Sequence, residues 1–321
     1  MDEPRQSPPP VPEENLQSRP PTALEPGLIP PPRLSAHPLH TIFLGPDGLR
    51  VPWRLLLYLV MGMTIVALLA TVRHFWHPRL LLWNSMIVEV EILIAAVAAA
   101  LIMARFEKRP FDAYGLPPRL AFGKQFWVGM VWGIASLTVL MFIMRAAGIF
   151  YFGGLAIHGT RILKFAAFYA LFFLLVGLGE EFVSRGYTLF TLTQGMGFWP
   201  AAILMSALFG AIHLSNQGEV WIGILGAAVI GFFFCLTLRR TGNLWFAVGF
   251  HASWDWGESY LYSVPDSGGV SPGHLLNSSF HGAPWLTGGS VGPEGSVLLF
   301  VIIALTWAAF DRVYPQAKYP G

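Results

Sequence analysis

Residues 165–185 read FAAFYALFFLLVGLGEEFVSR. From Phe165 to Leu178 no side chain is charged; then Glu180 and Glu181 stand side by side, with Arg185 four residues beyond the second acid. A helix needs roughly 20 mostly apolar residues to cross about 30 Å of hydrocarbon. In lipid the backbone has no water to bond to, so such a stretch must close its hydrogen bonds internally as a helix. A charged side chain at the bilayer centre costs about 2.5–3.5 kcal/mol, so charges carried by a spanning helix usually have partners or a function.

The same apolar signature recurs along the chain. Residues 55–72, 80–104, 126–149, 165–185, 199–213, 220–238, 244–262 and 296–310 are all candidate spans, the fifth and the eighth being short. The sequence therefore predicts an all-α, polytopic membrane helix bundle with about eight transmembrane helices. Composition agrees. Of 321 residues, 54 % are hydrophobic and 12 % charged, half the charge of a soluble globular domain. That excludes an ordinary soluble enzyme and a disordered regulator. A net charge of +2 gives no field for a polyanion, so no nucleic-acid partner is expected. The single Cys235 excludes an intrachain disulfide framework and a cysteine-based zinc site.

Residues 1–52 differ from the rest. They hold 14 of the 25 prolines, including Pro8-Pro9-Pro10 and Pro30-Pro31-Pro32, and read as a disordered, partly polyproline-II tail. Amino-terminal spans fill 53–160, a helical core follows over 161–262, a Gly- and Ser-rich extracytoplasmic loop over 263–294, and the last span with a short carboxy-terminal tail over 295–321. With eight spans, eleven Lys and Arg residues fall on the amino-terminal side and four on the other. This bias places both termini in the cytoplasm of a multi-pass protein of the plasma (inner) membrane. The 263–294 loop has no Lys or Arg; His274 and His281 within it are poor evidence for a metal site.

Three polar clusters lie on successive candidate spans. On a helix Glu181 and Arg185 share a face and can pair, whereas Glu180 is rotated away by about 100°. Phe209 and His213 follow on the fifth span, and His251 and Asp255, also four apart, on the seventh. His213 and His251 are the histidines within apolar segments. At about 1.5 Å per residue, His213 falls roughly 20 Å and His251 roughly 10 Å from the starts of their helices. Glu180, His213 and His251 can then meet in the cytoplasmic half of the bundle and activate a water.

These clusters, in this order, resemble the CAAX prenyl endopeptidase family, and within it the prokaryotic branch of CAAX-protease and bacteriocin-processing (Abi) membrane proteins. Glu180, Glu181 and Arg185 match its Glu-Glu-x-x-x-Arg motif. Phe209 and His213 match Phe-x-x-x-His, and His251 and Asp255 match His-x-x-x-Asn/Asp. The first motif is expected by chance only about 0.02 times in a chain of this composition and carries most of the weight. The resemblance covers about 165–262 and makes 161–262 the catalytic core. It implies an intramembrane endopeptidase acting on a membrane-associated, in the type family prenylated, protein or peptide. Glu180 would be the general base, His213 would position the water, and His251 and Asp255 would bind the oxyanion. Glu181 and Arg185 would brace the site, with Phe209 packed behind. Members nearest the eukaryotic prenyl-protein endopeptidase carry Asn in place of Asp255. An ionised Asp cannot donate to an oxyanion, so Asp255 must be protonated, orient His251, or bind a metal. No cofactor is favoured; were zinc used, Glu180, His213 and His251 would be its ligands.

Two other classes fit a bundle with internal acids. A proton-coupled transporter would use Glu180, the two histidines and Asp255 as a relay joined by Glu89 and Glu91 of the second span. A non-catalytic scaffold would recruit partners through the proline-rich tail.

Overall fold

The computed structural model describes residues 42–45, 48–76, 81–216 and 218–319. Most of the tail expected to be disordered, residues 1–41, lies outside the described residues. The chain divides into Met1–Ile42 and Phe43–Gly321, and the second of these units is the helical bundle. A two-residue ladder pairs β1 (Leu44–Gly45) with β2 (Gly48–Leu49), and helix α1 (Val51–Trp76) begins directly after it. Then come α2 (Leu81–Glu107), α3 (Lys124–Ala146), α4 (Thr160–Arg185), α5 (Tyr187–Met196), α6 (Phe198–Ile212), α7 (Trp221–Thr241), α8 (Trp245–Trp256) and, after the one-turn helix Pro284–Thr287, α9 (Leu298–Val313).

The protein is a polytopic, multi-pass helical membrane bundle. Among the described residues six helical stretches are long and apolar enough to cross a membrane: Val51–Phe75, Trp83–Glu107, Lys124–Ala146, Thr160–Met196, Phe198–Ser215 and Trp221–Thr241. The two remaining expected spans form shorter helices. At Gly257 the regular turn of α8 widens into a π-type turn, Gly257–Tyr262, which ends on Ser263 at φ 55°. Helix α9 has 16 residues, about 24 Å at 1.5 Å per residue. On α1 a row of large apolar side chains, Leu56, Leu59, Met63 and Leu68, faces outward. That is the surface expected against hydrocarbon, where an outward apolar face is solvated by lipid.

Helices α3 and α8 approach with their backbones almost touching, because glycines line the contact. A Cβ on Gly129 would lie 2.1 Å from the Phe246 carbonyl oxygen, and one on Gly133 2.3 Å from that of Phe250. The Gly129-x-x-x-Gly133 spacing thus clamps α8, the helix that carries His251 and Asp255. At Gly186 the chain turns sharply from α4 into α5; a Cβ there would sit 2.4 Å from the Phe182 carbonyl oxygen. The amino-terminal pair of helices is tied to this corner by Glu107, which accepts from Arg54 Nε and Nη2 at 2.8 and 2.7 Å and from the Tyr187 hydroxyl.

The 263–294 segment folds back on the bundle. Its strand β4 (Ser279–Phe280) pairs antiparallel with β3 (Phe150–Tyr151), which follows α3. The Ala156 N–H donates to Leu275 O at 2.8 Å, and the Tyr169 hydroxyl of α4 donates to Pro272 O. Through Asp266 and Glu294 this loop forms one wall of the cavity lined by Glu180 and His251.

Candidate active site

The two adjacent glutamates at the end of α4 meet opposite environments, as their 100° separation dictates. Glu181 turns inward and is fully buried. Arg185, one turn on and also fully buried, donates from Nη1 to both of its carboxylate oxygens at 2.9 Å. The guanidinium fits because Gly231 of α7 leaves it room: a Cβ there would lie 2.7 Å from Nη2. Arg185 Nε donates to the Gly231 carbonyl at 3.2 Å. The cation lies over the Phe209 ring at 4.6 Å and the Phe234 ring at 5.4 Å, contacts of about 1–2 kcal/mol each when desolvated. The phenylalanine of the second sequence motif thus covers the arginine of the first.

Glu181 does more than pair with Arg185. His251 Nδ1 lies 2.9 Å from Glu181 Oε1. A carboxylate accepts and cannot donate, so Nδ1 carries the proton and Glu181 fixes the ring. His251 Nε2 is then turned toward Asp255 Oδ2 at 3.4 Å and Glu180 Oε2 at 3.8 Å. The second distance exceeds a direct hydrogen bond and leaves a gap that one water can bridge. Glu181 thus holds the ring from the side opposite Asp255.

His213 caps α6. Its Nδ1 donates to the Phe209 carbonyl at 2.7 Å, and its ring rests on that of Phe209 with centroids 4.8 Å apart. With Nδ1 committed as a donor, Nε2 of the neutral ring is an acceptor.

Glu180, His213, His251 and Asp255 line a single cavity of about 160 Å³, room for several waters. Apolar groups of α4 and α7, among them Phe173, Val176 and Ile230, form its other walls. Glu180, with 41 % of its side chain exposed, is open to this space, whereas Glu181 is shut off from it. The three helices that carry the motifs therefore bring four polar groups to one chamber, with Glu181, Arg185 and Phe209 packed directly behind. Of the two acids of α2, Glu91 pairs with Arg73 at 3.0 Å, and neither is among the residues that line the chamber.

Sequence reasoning missed part of the cavity wall. Glu219, ahead of α7, and Asp266 and Glu294 of the 263–294 segment also line it. Among the described residues Asp255, Asp266 and Glu294 form the group whose donor atoms all lie within 4.8 Å of one another; Glu180, His213 and His251, the expected zinc set, do not meet that spacing. Burial and the neighbouring charge of Glu294 push the Asp266 carboxyl up to about 8. The one sequence signal was the absence of Lys and Arg from a segment that still contains two acids.

The comparison with known families bears on the helices that build this chamber. Residues 162–257 match the Rce1-like family, the type II CAAX prenyl endopeptidases. The match starts in α4 and ends just after α8, so it takes in all three motifs and leaves the amino-terminal helices and the 263–294 wall outside. No curated protein matches the chain. The Rce1-like segment is the one that holds Glu180, Glu181, Arg185, Phe209, His213, His251 and Asp255 together.

Proposed function

We propose that the protein is an intramembrane endopeptidase that hydrolyses a peptide bond of a membrane-associated protein or peptide with a water activated by Glu180. The observation that carries this reading is the split fate of the glutamate pair: one carboxylate is consumed by Arg185 and His251, the other opens into a polar chamber with two imidazoles. Glu180 takes a proton from the water as its oxygen attacks the amide carbonyl carbon. His213 Nε2 accepts from the same water and orients it. His251, in its imidazolium form with Nδ1 held by Glu181, donates from Nε2 to the oxyanion. The intermediate collapses with cleavage of the C–N bond, and Glu180 returns the proton to the leaving amine. General-base catalysis contributes about 10²–10⁴-fold, and a preorganised donor at the oxyanion about 10²–10³-fold.

The match to the type II CAAX family supports a protein substrate. The apolar walls around Phe173, Val176 and Ile230 suit a lipidated or hydrophobic segment. Asp255 in place of Asn favours the prokaryotic branch, bacteriocin-processing relatives included, over the eukaryotic prenyl-protein enzymes. The charge bias of the loops supports both termini in the cytoplasm.

The test is cleavage by the purified full chain in lipid nanodiscs of two reporter peptides that differ only in a prenyl group on the cysteine. Glu180→Gln should lower cleavage at least about 100-fold with a melting temperature within about 2 °C of the wild type, because the side chain is partly exposed and His251, 3.8 Å away, keeps Glu181 and Asp255. Wild-type turnover by Glu180→Gln ends this reading, and the ratio of the two reporters in the wild type decides whether prenylation is recognised.

A further inference from the structure

The acids that the proposed hydrolysis leaves unused gather where the 263–294 segment meets α8. One oxygen each of Asp255, Asp266 and Glu294 fall within 4.8 Å of one another. Oxygens bound to opposite sides of one Ca²⁺ stand about 4.8 Å apart, twice a bond of about 2.4 Å, so a single ion can reach all three. Neighbouring groups hold each carboxylate from outside. The Ser259 hydroxyl donates to Asp266 Oδ2 at 2.9 Å, the Ser267 hydroxyl donates to Glu294 Oε2 at 3.0 Å, and His251 Nε2 stands 3.4 Å from Asp255 Oδ2. Such outer contacts aim ligand oxygens.

Three acids close together do not by themselves name a ligand. The second observation is Glu258, three residues beyond Asp255 on the same helical run. Its side chain is fully buried, and neither carboxylate oxygen has a hydrogen-bond partner among the described residues. The next residue, Ser259, donates to Asp266, which brings the loop carboxylate to this turn of the helix. The Val264 N–H donates to the Glu258 carbonyl at 3.0 Å and starts the 263–294 segment back across this position. An unpartnered buried polar group costs about 1–3 kcal/mol. Three carboxylates therefore meet from a helix and a loop, and a fourth, Glu258, is buried three residues from one of them with both oxygens unpartnered.

We propose that Asp255, Asp266 and Glu294 bind one hard divalent cation, with Glu258 behind them as acceptor for water carried by the ion. The donor set is oxygen only, which suits Ca²⁺, Mg²⁺ or Mn²⁺ rather than a metal that seeks nitrogen or sulfur. The ion ties the 263–294 wall of the cavity to α8, next to His251. This binding site stands whether or not the chain cleaves peptides.

The experiment uses the full-length chain in detergent, washed with EDTA and then titrated separately with Ca²⁺, Mg²⁺ and Mn²⁺. The expected result is a saturable rise in melting temperature with at least one of the three, and one bound Mn²⁺ per chain by electron paramagnetic resonance, displaced by the stabilising ion. Asp266→Asn and Glu294→Gln, neither of them in the hydrolytic machinery, should each weaken binding about ten-fold or more. Absence of bound Mn²⁺ together with no stabilisation of the wild type overturns the proposal without any variant. Binding by both variants that equals the wild type also overturns it, by placing the ion elsewhere. A chain that binds the ion as described and cleaves neither reporter upholds this site and refutes the endopeptidase; a cleaving enzyme that binds no cation does the reverse.

Discussion

Replacing Glu181 with leucine tests the frame behind the chamber. In the wild type this carboxylate accepts from Arg185 Nη1 at both oxygens and from His251 Nδ1, all at 2.9 Å, with no exposure to solvent. Glu181→Leu leaves a fully buried guanidinium without a counter-charge. Removing one partner of a buried ion pair costs about 3–5 kcal/mol. Arg185 keeps the Gly231 carbonyl and its two aromatic faces, which sets the expectation at the lower end, about 3 kcal/mol. At about 2 °C per kcal/mol for a domain of this size, the melting temperature should fall by about 6 °C. Arg185→Met should cost a similar amount, because it strands Glu181 with only His251.

The double variant Glu181→Leu/Arg185→Met separates support from chemistry. With both charges gone, two well-packed apolar side chains of similar volume are often neutral in place of a buried pair. Melting should therefore return to within about 2 °C of the wild type. Cleavage should not return, since His251 Nδ1 has lost the group that fixes the ring, and misplacement by about 1 Å costs about 100-fold. Intrinsic fluorescence of the 12 tryptophans reports melting of the detergent-purified chain, and the reporter peptides report activity. If Glu181→Leu melts with the wild type, or the double variant melts below both singles, the buried pair is not what holds this corner together.

Gly133→Val should disrupt the α3–α8 clamp, where even a Cβ meets the Phe250 carbonyl oxygen and the Ser253 hydroxyl at 2.3 Å; the monodisperse fraction after solubilisation should drop, while Gly62→Ala on α1, with no atom within 4 Å of the added carbon, should behave as wild type. Burial raises the Glu219 carboxyl above its ordinary value of 4.5, so the folded chain binds this proton more tightly than the unfolded one. Its contribution to stability is full below the ordinary value and is lost as pH rises through the raised one. Glu219→Gln should flatten that part of the melting profile and raise the melting temperature at neutral pH; an unchanged slope would count against desolvation of this partly buried carboxyl.

What could be read in advance was whatever lay within one helix. The Glu181–Arg185 pair follows from a spacing of four, and the apolar surroundings of His213 and His251 set them apart from the other histidines. Relations between helices were not legible. Nothing in the spacing says that Glu181 also holds a ring 70 residues away, or that Gly231 must be small to admit Arg185. The 263–294 segment shows no helical or strand periodicity. Two acids among its glycines and serines look like solvated loop residues until the Val264–Glu258 and Ser259–Asp266 hydrogen bonds lay the segment against the end of the α8 run. Glu258 was hidden for the opposite reason: it sits inside a run whose hydropathy reads as a continuous span, and only the change of helical pitch at Gly257 reveals that the run ends in a polar corner.

The charge inventory of the chamber ties its two halves together. Glu180, Glu219, Asp255, Asp266 and Glu294 face it, against His213 and His251. An oxyanion formed beside His251 gains a donor at Nε2 but meets the Asp255 carboxylate 3.4 Å from that same nitrogen. Like charges at such distances repel by several kcal/mol in a partly desolvated site, enough to cancel the gain from one hydrogen bond. Under the proposed hydrolysis the His251 imidazolium offsets part of the Asp255 charge, and the remainder is neutralised by a proton or by a cation shared with Asp266 and Glu294. The two differ in a measurable way. With a proton, cleavage falls as pH rises and ignores EDTA; with a cation, EDTA removes activity at fixed pH, and Asp255→Asn, which carries no charge to neutralise, keeps activity after EDTA treatment.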